Sequence, residues 1–327
     1  MRRNKGQRSV LPDWRPRPAQ LRTAHPFFKY WIPALSAVYM VVLCVLGGPG
    51  PEHFILVGLS LWLALWNDAS RRLAHIGLPY LLYALVYDSM RWYADAIRSP
   101  TIHVHEPYDF DLRWFGIHGQ TPNEWLQQHT SRILDFFCGL AYTPMFFIGE
   151  SILLSIYFVV KGKMRRAERF TWIFVVSNFV GFTFYYFYPA APPWYVAAHG
   201  FVVDMSVRAS PAGAIRFDRL IGIPLMQGFY GKSADVFGAI PSLHVVYPFL
   251  SMIYGWHLRR FRWIAMPYFL LVCFSAVYLD HHYLLDIFLG VGVALLVMAA
   301  ARVAFGSVAP RRISEEEQDP ALAPART

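Results

Sequence analysis

Two short polar segments interrupt the apolar runs of this chain, and both contain histidine. The segments run from Gly238 to His244 and from Asp280 to Asp286, and each stands at the start of an apolar run. His244 and His282 lie 38 residues apart, about the length of one membrane helix, a turn and a returning helix. The spacing therefore predicts that the two imidazoles meet at one face of a membrane, where they can share acid–base and nucleophilic chemistry.

His282 and Asp286 are four residues apart on a predicted helix, so their side chains share one face. The carboxylate can accept a hydrogen bond from one ring nitrogen of His282, which fixes the tautomer and leaves the other nitrogen free to attack. His281 has Leu285 at the same offset and lacks such a partner, so His282 is the predicted nucleophile. A carboxylate one turn into a membrane helix is costly, which favours a functional role for Asp286.

Each of these residues also has a purely structural interpretation. A single histidine near a membrane interface is usually a polar anchor, and Ser242 after Pro241 could simply cap the first turn of a helix. Taken together, with the ionisable groups brought to one face in this order, the pattern favours catalysis.

The composition indicates the class of protein. Of the 327 residues, 56% are hydrophobic and only 16% are charged, and the mean hydropathy is +0.32. These values exclude a disordered chain, a coiled coil and a small disulfide scaffold, and leave too little polar surface for a typical soluble enzyme. Cys44, Cys138 and Cys273 fall singly in apolar runs, so we interpret them as buried hydrophobic residues. We expect an all-α fold, a polytopic membrane helix bundle with about eight transmembrane helices.

Eight apolar runs carry this prediction, and Phe54–Trp66 is short for a complete crossing. The polar segments at both ends define the predicted organisation: a basic cytoplasmic tail at 1–29, a membrane-embedded domain at 30–305 and a disordered cytoplasmic tail at 306–327. The runs are Tyr30–Leu46, Phe54–Trp66, Ile76–Tyr93, Leu134–Val160, Phe170–Tyr188, Ser242–Trp256, Trp263–Leu279 and Tyr283–Phe305.

The positive charges predict the orientation of the bundle. The net charge is +9, and 22 of the 30 Lys and Arg residues fall on the side of both termini when successive loops alternate. The positive-inside rule then places both termini in the cytoplasm and the histidine segments at the extracytoplasmic face. Because these Lys and Arg residues are accounted for by topology and by contacts with membrane lipids, we predict no nucleic acid partner. Arginine outnumbers lysine 25 to 5, which hints at a GC-rich source, so we expect a bacterial cell membrane.

The order of the polar residues matches a known pattern. The segment Pro241–His244 reads Pro-Ser-Leu-His and is followed by His282 and then by Asp286. This pattern resembles the type 2 phosphatidic acid phosphatase superfamily. The upstream stretch Tyr185–Trp194 and the run His281–Tyr283 are similar to its inositol phosphorylceramide synthase branch.

The resemblance covers about residues 75–305 and implies a six-helix phosphatase-like core. It implies that His282 forms a phosphohistidine, that His244 protonates the leaving oxygen and then deprotonates the acceptor, and that Asp286 stabilises the charge on His282. The implied substrate is a lipid phosphoester, and this chemistry requires no metal and no cofactor.

Two enzymatic functions are compatible with the same site, and they differ in the molecule that accepts the phosphoryl group. With an alcohol such as inositol, the protein is a phosphotransferase similar to inositol phosphorylceramide synthase. With water, it is a lipid or polyprenyl phosphate phosphatase. A transporter or channel is disfavoured, because transporter sites lie near the membrane midplane whereas these histidines lie at helix ends.

The chain departs from the superfamily at the phosphate-binding positions. Leu243 replaces a glycine, Ser275-Ala276 stands where Ser-Arg is usual, and no Lys-x6-Arg-Pro pattern occurs. Arginine forks and polar side chains remain the natural partners of phosphate. Our candidate substrate-binding and phosphate-binding residues are Ser242, Tyr188, Trp194, Arg216, Lys232, Asp88 and Arg91.

The sequence leaves the roles of some other polar residues open. Asp88 and Arg91, three apart near the outer end of the third run, either pair inside the bundle or face a headgroup cavity. His103, His105 and Glu106 could suggest a metal site, but they do not form a complete ligand set, so no metal site is predicted. Asp109 and Asp111 are expected to be loop or cap residues.

Overall fold

The computed structural model of the chain describes residues 27–46, 49–231 and 235–305, so the predicted tail at 306–327 and most of the tail at 1–29 lie outside the described residues. Regular structure in the described residues is helical, with a 3-10 turn at Ala212–Ala214. The α-helices are α1 (Phe27–Leu46), α2 (Pro51–Leu65), α3 (Asp68–Ile97), α4 (His105–Phe115), α5 (Pro122–Gln128), α6 (Arg132–Ala141), α7 (Pro144–Val160), α8 (Met164–Phe187), α9 (Pro193–His199), α10 (Ile215–Ile221), α11 (Leu225–Tyr230), α12 (Leu243–Gly255), α13 (Arg262–Tyr278) and α14 (Leu284–Phe305).

The predicted apolar runs coincide with helices, but the run Leu134–Val160 is corrected to two. Helices α6 and α7 meet at 42°. Thr143 is extended between them, and Pro144 begins α7. Because proline lacks an N–H to donate and disfavours a helical residue before it, one continuous helix cannot pass this point. The break frees the Tyr142 carbonyl, which accepts a hydrogen bond from the Tyr230 hydroxyl at 2.9 Å.

Among the described residues, two helices are long and apolar enough to cross a membrane singly: α8, and α14 from Leu284 to Ala304. Helices α6 and α7 give a third candidate if the bent pair is one span, and α1, α2, α12 and α13 supply shorter apolar segments. The protein is an integral membrane protein built as an all-α bundle. The figure of eight crossings stays a prediction.

Helix α8 packs against α3, α7, α12 and α14. Its residues Phe170, Ile173 and Phe174 are almost fully buried, and their three- and four-residue spacing places them on one face. A polar contact also joins neighbouring helices, because the Tyr247 hydroxyl donates to Oδ1 of Asn178 at 2.6 Å. Interhelical hydrogen bonds of this kind satisfy polar groups that hydrocarbon cannot.

Helices α12 and α14 approach each other closely where the two histidine segments begin. The N–H of Ser242 donates to the carbonyl oxygen of Asp286 at 3.0 Å. One turn further along α14, a Cβ atom on Gly290 would lie 2.4 Å from the Ser242 carbonyl oxygen. Glycine is therefore required at 290 for the backbones to come together, and this approach sets the distance between the two histidines.

We expect Gly290→Ala to lower both thermal stability and turnover, because the added methyl group pushes α14 away from Ser242. Overpacking of this kind typically costs about 1–3 kcal/mol. Gly292→Ala is the matched control, since a Cβ at 292 meets nothing within 4 Å and alanine favours the helix. Thermal unfolding in detergent and lipid-phosphate turnover measure both effects, and equal behaviour of the two variants would contradict the prediction.

Candidate active site

His282 and Asp286 form a buried hydrogen-bonded pair. Nδ1 of His282 lies 3.1 Å from Oδ2 of Asp286, and the two residues are 4% and 0% exposed. His282 lies in the loop before α14, and burial lowers its pKa to about 3, which keeps the imidazole neutral at pH 7. With Nδ1–H directed at the carboxylate, the lone pair of Nε2 is the one available for nucleophilic attack.

His244 faces this pair from the first turn of α12. Its Nδ1 lies 3.1 Å from Nε2 of His282, and its Nε2 lies 3.3 Å from the Tyr230 hydroxyl. That hydroxyl donates its own proton to the Tyr142 carbonyl, so toward His244 it can only accept. Since Nε2 of His282 is an acceptor as well, a proton on Nδ1 of His244 would be donated toward His282. This position suits His244 to the predicted role of general acid beside the predicted nucleophile.

The contact between His244 and His282 also constrains how a phosphate binds. During an in-line transfer, phosphorus lies between the attacking nitrogen and the oxygen that receives a proton. A gap of 3.1 Å between two nitrogens holds no further atom. Binding of phosphate must therefore move the two rings apart and replace their mutual contact by contacts to the phosphate.

Two cavities meet at His244. The larger cavity, of about 340 Å³, extends into the bundle, and its lining includes Tyr83, Tyr87, Tyr185 and Tyr247 among apolar side chains. The smaller cavity, of about 80 Å³, lies among the loops and is lined by His281, His282, Trp194 and Ser210, among others. The residues that line both cavities are Tyr230, Asp235, Gly238 and His244. An apolar chamber and a small polar chamber thus open onto the same imidazole.

The stretch Tyr185–Trp194 contacts both histidine segments. The Tyr185 hydroxyl donates to the carbonyl of Pro241 at 3.2 Å, and the N–H of Trp194 donates to the carbonyl of Asp280 at 3.1 Å. These bonds hold the loops that carry His244 and His282 against a common support.

The comparisons with known proteins agree with this geometry. The sequence model described as the PAP2 superfamily matches residues 108–300. The chain belongs to the PAP2 superfamily. It is 30% identical over 270 residues to a phosphoinositol dihydroceramide synthase of Bacteroides thetaiotaomicron, which covers 80% of this chain and 87% of that protein.

Fungal proteins are similar to this PAP2 superfamily member as well. An inositol phosphorylceramide synthase of Candida albicans is 30% identical over 55% of this chain and 39% of its own length. The inositol phosphorylceramide synthase catalytic subunit of Saccharomyces cerevisiae is 24% identical over 81% of this chain and 66% of its own length. No solved structure matches the chain.

Two of the predicted substrate-binding residues of this PAP2 superfamily protein lie at the site. Ser242 occupies the N-cap position of α12, is fully buried, and its hydroxyl has no hydrogen-bond partner among the described residues. Trp194 lines the smaller cavity beside His282. Both positions favour contact with phosphate or headgroup, and this role stays a prediction.

Arg216 and Tyr188 make their contacts elsewhere. Nε of Arg216 donates to Oδ1 of Asp135 at 2.6 Å, and Nη1 donates to Oε1 of Gln127 at 2.9 Å. These bonds join α10 to α5 and α6, and they argue against Arg216 as the phosphate-binding residue. Tyr188 stacks on His103 with ring centroids 3.7 Å apart, outside the lining of the two cavities.

Asp88 joins the first helices to α3. Its Oδ2 lies 3.0 Å from Nε2 of His53 in α2 and accepts a hydrogen bond from the Tyr39 hydroxyl of α1 at 3.3 Å. Asp88 thus has partners on α1 and α2 inside the bundle, and its predicted pairing with Arg91 stays a prediction. Arg91 lies one turn later on α3, and Lys232 is outside the described residues, so their phosphate-binding roles stay predictions.

Asp111 and Asn123 hold the start of α14, although the sequence assigned neither to the site. The Asp111 carboxylate, fully buried on α4, accepts hydrogen bonds from the N–H groups of Leu284 at 2.7 Å and Leu285 at 3.1 Å. The Asn123 amide donates to the carbonyl of His282 at 3.1 Å. First-turn N–H groups have no partner within their own helix, so Asp111 acts as a cap supplied by another helix.

Tyr230 and Asp235 were also missed, because only the folding of the loops brings them to His244, whereas His281 was considered only as a nucleophile. Nη2 of Arg98 lies 3.2 Å from Oδ1 of Asp235, so the acid enters the cavity lining as part of a buried ion pair. Within the part of the chain that the structure describes, no group of three or more His, Cys, Asp or Glu side chains is arranged to hold a metal ion.

We expect Asp111→Ala to reduce kcat strongly, because it leaves two buried N–H groups unpaired and loosens the turn that carries Asp286. Asp111→Asn keeps one acceptor oxygen and should retain an intermediate activity. Asp109→Ala, at an exposed position on the same helix, is the control. Turnover and thermal unfolding measured for the three variants test the prediction, and full activity of Asp111→Ala would contradict it.

Proposed function

We propose that this protein is a membrane-embedded lipid phosphotransferase that exchanges two alcohols on one phosphorus through a phosphohistidine. The observation that carries the proposal is the chain of contacts from Asp286 through His282 to Nδ1 of His244, at the point where an apolar and a polar cavity meet. Membership of the PAP2 superfamily supports the same class of reaction on a lipid phosphoester.

The first half-reaction breaks the ester of the donor lipid. Nε2 of His282 attacks phosphorus, the bond from phosphorus to the leaving alcohol breaks, and His244 gives the Nδ1 proton to the leaving oxygen. His282 becomes positively charged while phosphorylated, and the Asp286 carboxylate stabilises that charge. The Ser242 hydroxyl and the N–H groups at the start of α12 are suited to hold the non-bridging oxygens.

The second half-reaction returns the enzyme to its starting state. The incoming alcohol gives its proton to neutral His244, its oxygen attacks phosphorus, and the bond between phosphorus and Nε2 of His282 breaks. His244 is then an imidazolium again and His282 is neutral, so protons and charge balance over the cycle. Water in place of the alcohol would give hydrolysis by the same steps, and this alternative separates a phosphatase from a transferase.

The names of the relatives and the two cavities support a more specific substrate class. The relatives are named for products that join phosphoinositol to a ceramide or a dihydroceramide. We propose that the tyrosine-lined cavity takes the lipid chains and the smaller cavity takes an inositol-type headgroup. The phosphorus then lies between them, beside His244 and His282.

The orientation and domain limits are part of the proposal. The charge distribution supports cytoplasmic termini and a catalytic site at the extracytoplasmic face. At the opposite ends of α7 and α12 lies a basic cluster in which Nζ of Lys163 is 3.3 Å from Nε2 of His257. We propose residues 30–305 as the catalytic unit, flanked by cytoplasmic tails.

Product analysis decides between transfer and hydrolysis. Purified protein in detergent, given a headgroup-labelled inositol phospholipid and a ceramide, should move the label into a new lipid product that requires the ceramide. The same reaction without ceramide is the control. Release of only water-soluble phosphate or phosphoinositol, at a rate that ceramide does not change, would reject the transferase.

We expect a phosphoenzyme that is stable to base and labile to acid, as a phosphohistidine is. His282→Ala should abolish it together with turnover, whereas His244→Ala should slow turnover yet leave a trappable phosphoenzyme when the leaving group is a good one. His129→Ala, at an exposed position, is the control for loss of a histidine. Retention of the phosphoenzyme in His282→Ala would contradict His282 as the nucleophile.

A further inference from the structure

His281 lies beside the reacting pair but has no part in the steps above. It is only 7% exposed and lines the smaller cavity together with His244 and His282. Its ring stacks on Tyr142 at a centroid distance of 5.2 Å and contacts Tyr230 at 4.6 Å. These aromatic contacts fix the plane of the imidazole at the cavity wall.

The hydrogen-bonding capacity of His281 is only partly used. Nε2 is buried and has no hydrogen-bond partner among the described residues. Burial lowers the pKa of His281 to about 3, so the ring is neutral at pH 7 and offers one donor and one acceptor. A buried polar nitrogen without a partner is costly, and such groups are usually satisfied by a ligand or by water.

The smaller cavity has the chemistry of a site for an uncharged polar group. The described residues that line it include no lysine or arginine. Its polar side chains are those of Trp194, Ser210, Tyr230, the three histidines and Asp235, whose carboxylate is paired with Arg98. Apart from that carboxylate they are neutral donors and acceptors, which suit hydroxyl groups rather than a second anion.

We infer that His281 is a substrate-binding residue that hydrogen-bonds a hydroxyl group of the polyol headgroup attached to the reacting phosphorus. The inference rests on the proposed transferase function and adds the residue that selects the headgroup. The headgroup is joined to phosphorus, and phosphorus reacts at the adjacent His282, so a hydroxyl near the ester oxygen falls within reach of the neighbouring ring. His281 takes no part in proton transfer and changes no bond.

Variants of His281 separate hydrogen bonding from packing. His281→Phe keeps an aromatic ring in contact with Tyr142 and Tyr230 but removes both nitrogens. His281→Asn and His281→Gln give up the ring but can place a polar atom near the position of Nδ1 or of Nε2. His129→Phe is the matched control, because His129 is exposed and stacks on Trp125 at a centroid distance of 4.0 Å.

Two donors with the same acyl chains test the variants, one with an inositol headgroup and one with a methyl ester in its place. We expect His281→Phe to lower kcat/KM for the inositol lipid by about 10-fold, the size of one lost hydrogen bond to an uncharged hydroxyl. The value for the methyl ester should stay within about threefold of wild type, and His281→Asn or His281→Gln should restore part of the preference.

The outcomes distinguish this inference from the function on which it rests. If wild type prefers the inositol lipid but His281→Phe affects both donors alike, or neither, the role of His281 is overturned and the transferase stands. If wild type forms no product from the inositol lipid yet hydrolyses the methyl ester or a phosphate monoester, the proposed function is overturned, and the assignment of His281 to a polyol is overturned with it.

Discussion

The hydrogen bond between His282 and Asp286 requires a carboxylate that is fully buried at the start of a membrane helix. A buried charge of this kind is tolerated only where other groups satisfy it. Oδ2 of Asp286 also accepts a bond from the N–H of Tyr283 at 3.0 Å, so the helix start contributes its own dipole. The cap from Asp111, the support from Asn123 and the close approach at Gly290 all keep this turn in place.

The candidate site lies where an apolar cavity and a smaller polar cavity meet. Lipid chains need an apolar chamber among helices, whereas a headgroup and its phosphate need polar partners, and His244 lines both cavities. A reaction at this boundary lets each substrate keep its own environment while the phosphorus is transferred. The break between α6 and α7 contributes to this arrangement, because the freed carbonyl of Tyr142 orients Tyr230 beside His244.

The sequence predicted the bundle and the central trio well, because apolar runs and helical spacing are local signals. The 38-residue spacing of the histidines needed only the length of two helices and a turn. The contact of His282 with Asp286 was predicted from helical spacing, although His282 lies in the loop just before α14. Contacts across loops could not be predicted in this way. Asp111 and Leu284 are 173 residues apart, and no pattern in either segment predicts a contact with the other. The same limit applies to Arg216, whose contact with Asp135, 81 residues away, no local pattern predicts.

The cap that Asp111 supplies has a consequence for biogenesis. Helix α14 follows α4 and α5 by more than 150 residues, so it reaches the membrane after the segments that will hold its first turn. Before α14 inserts, the bundle contains His244 but lacks Asp286 and the fixed position of His282. The proposed site is therefore incomplete in a partly synthesised chain, and it is assembled in the same step that completes the helix packing.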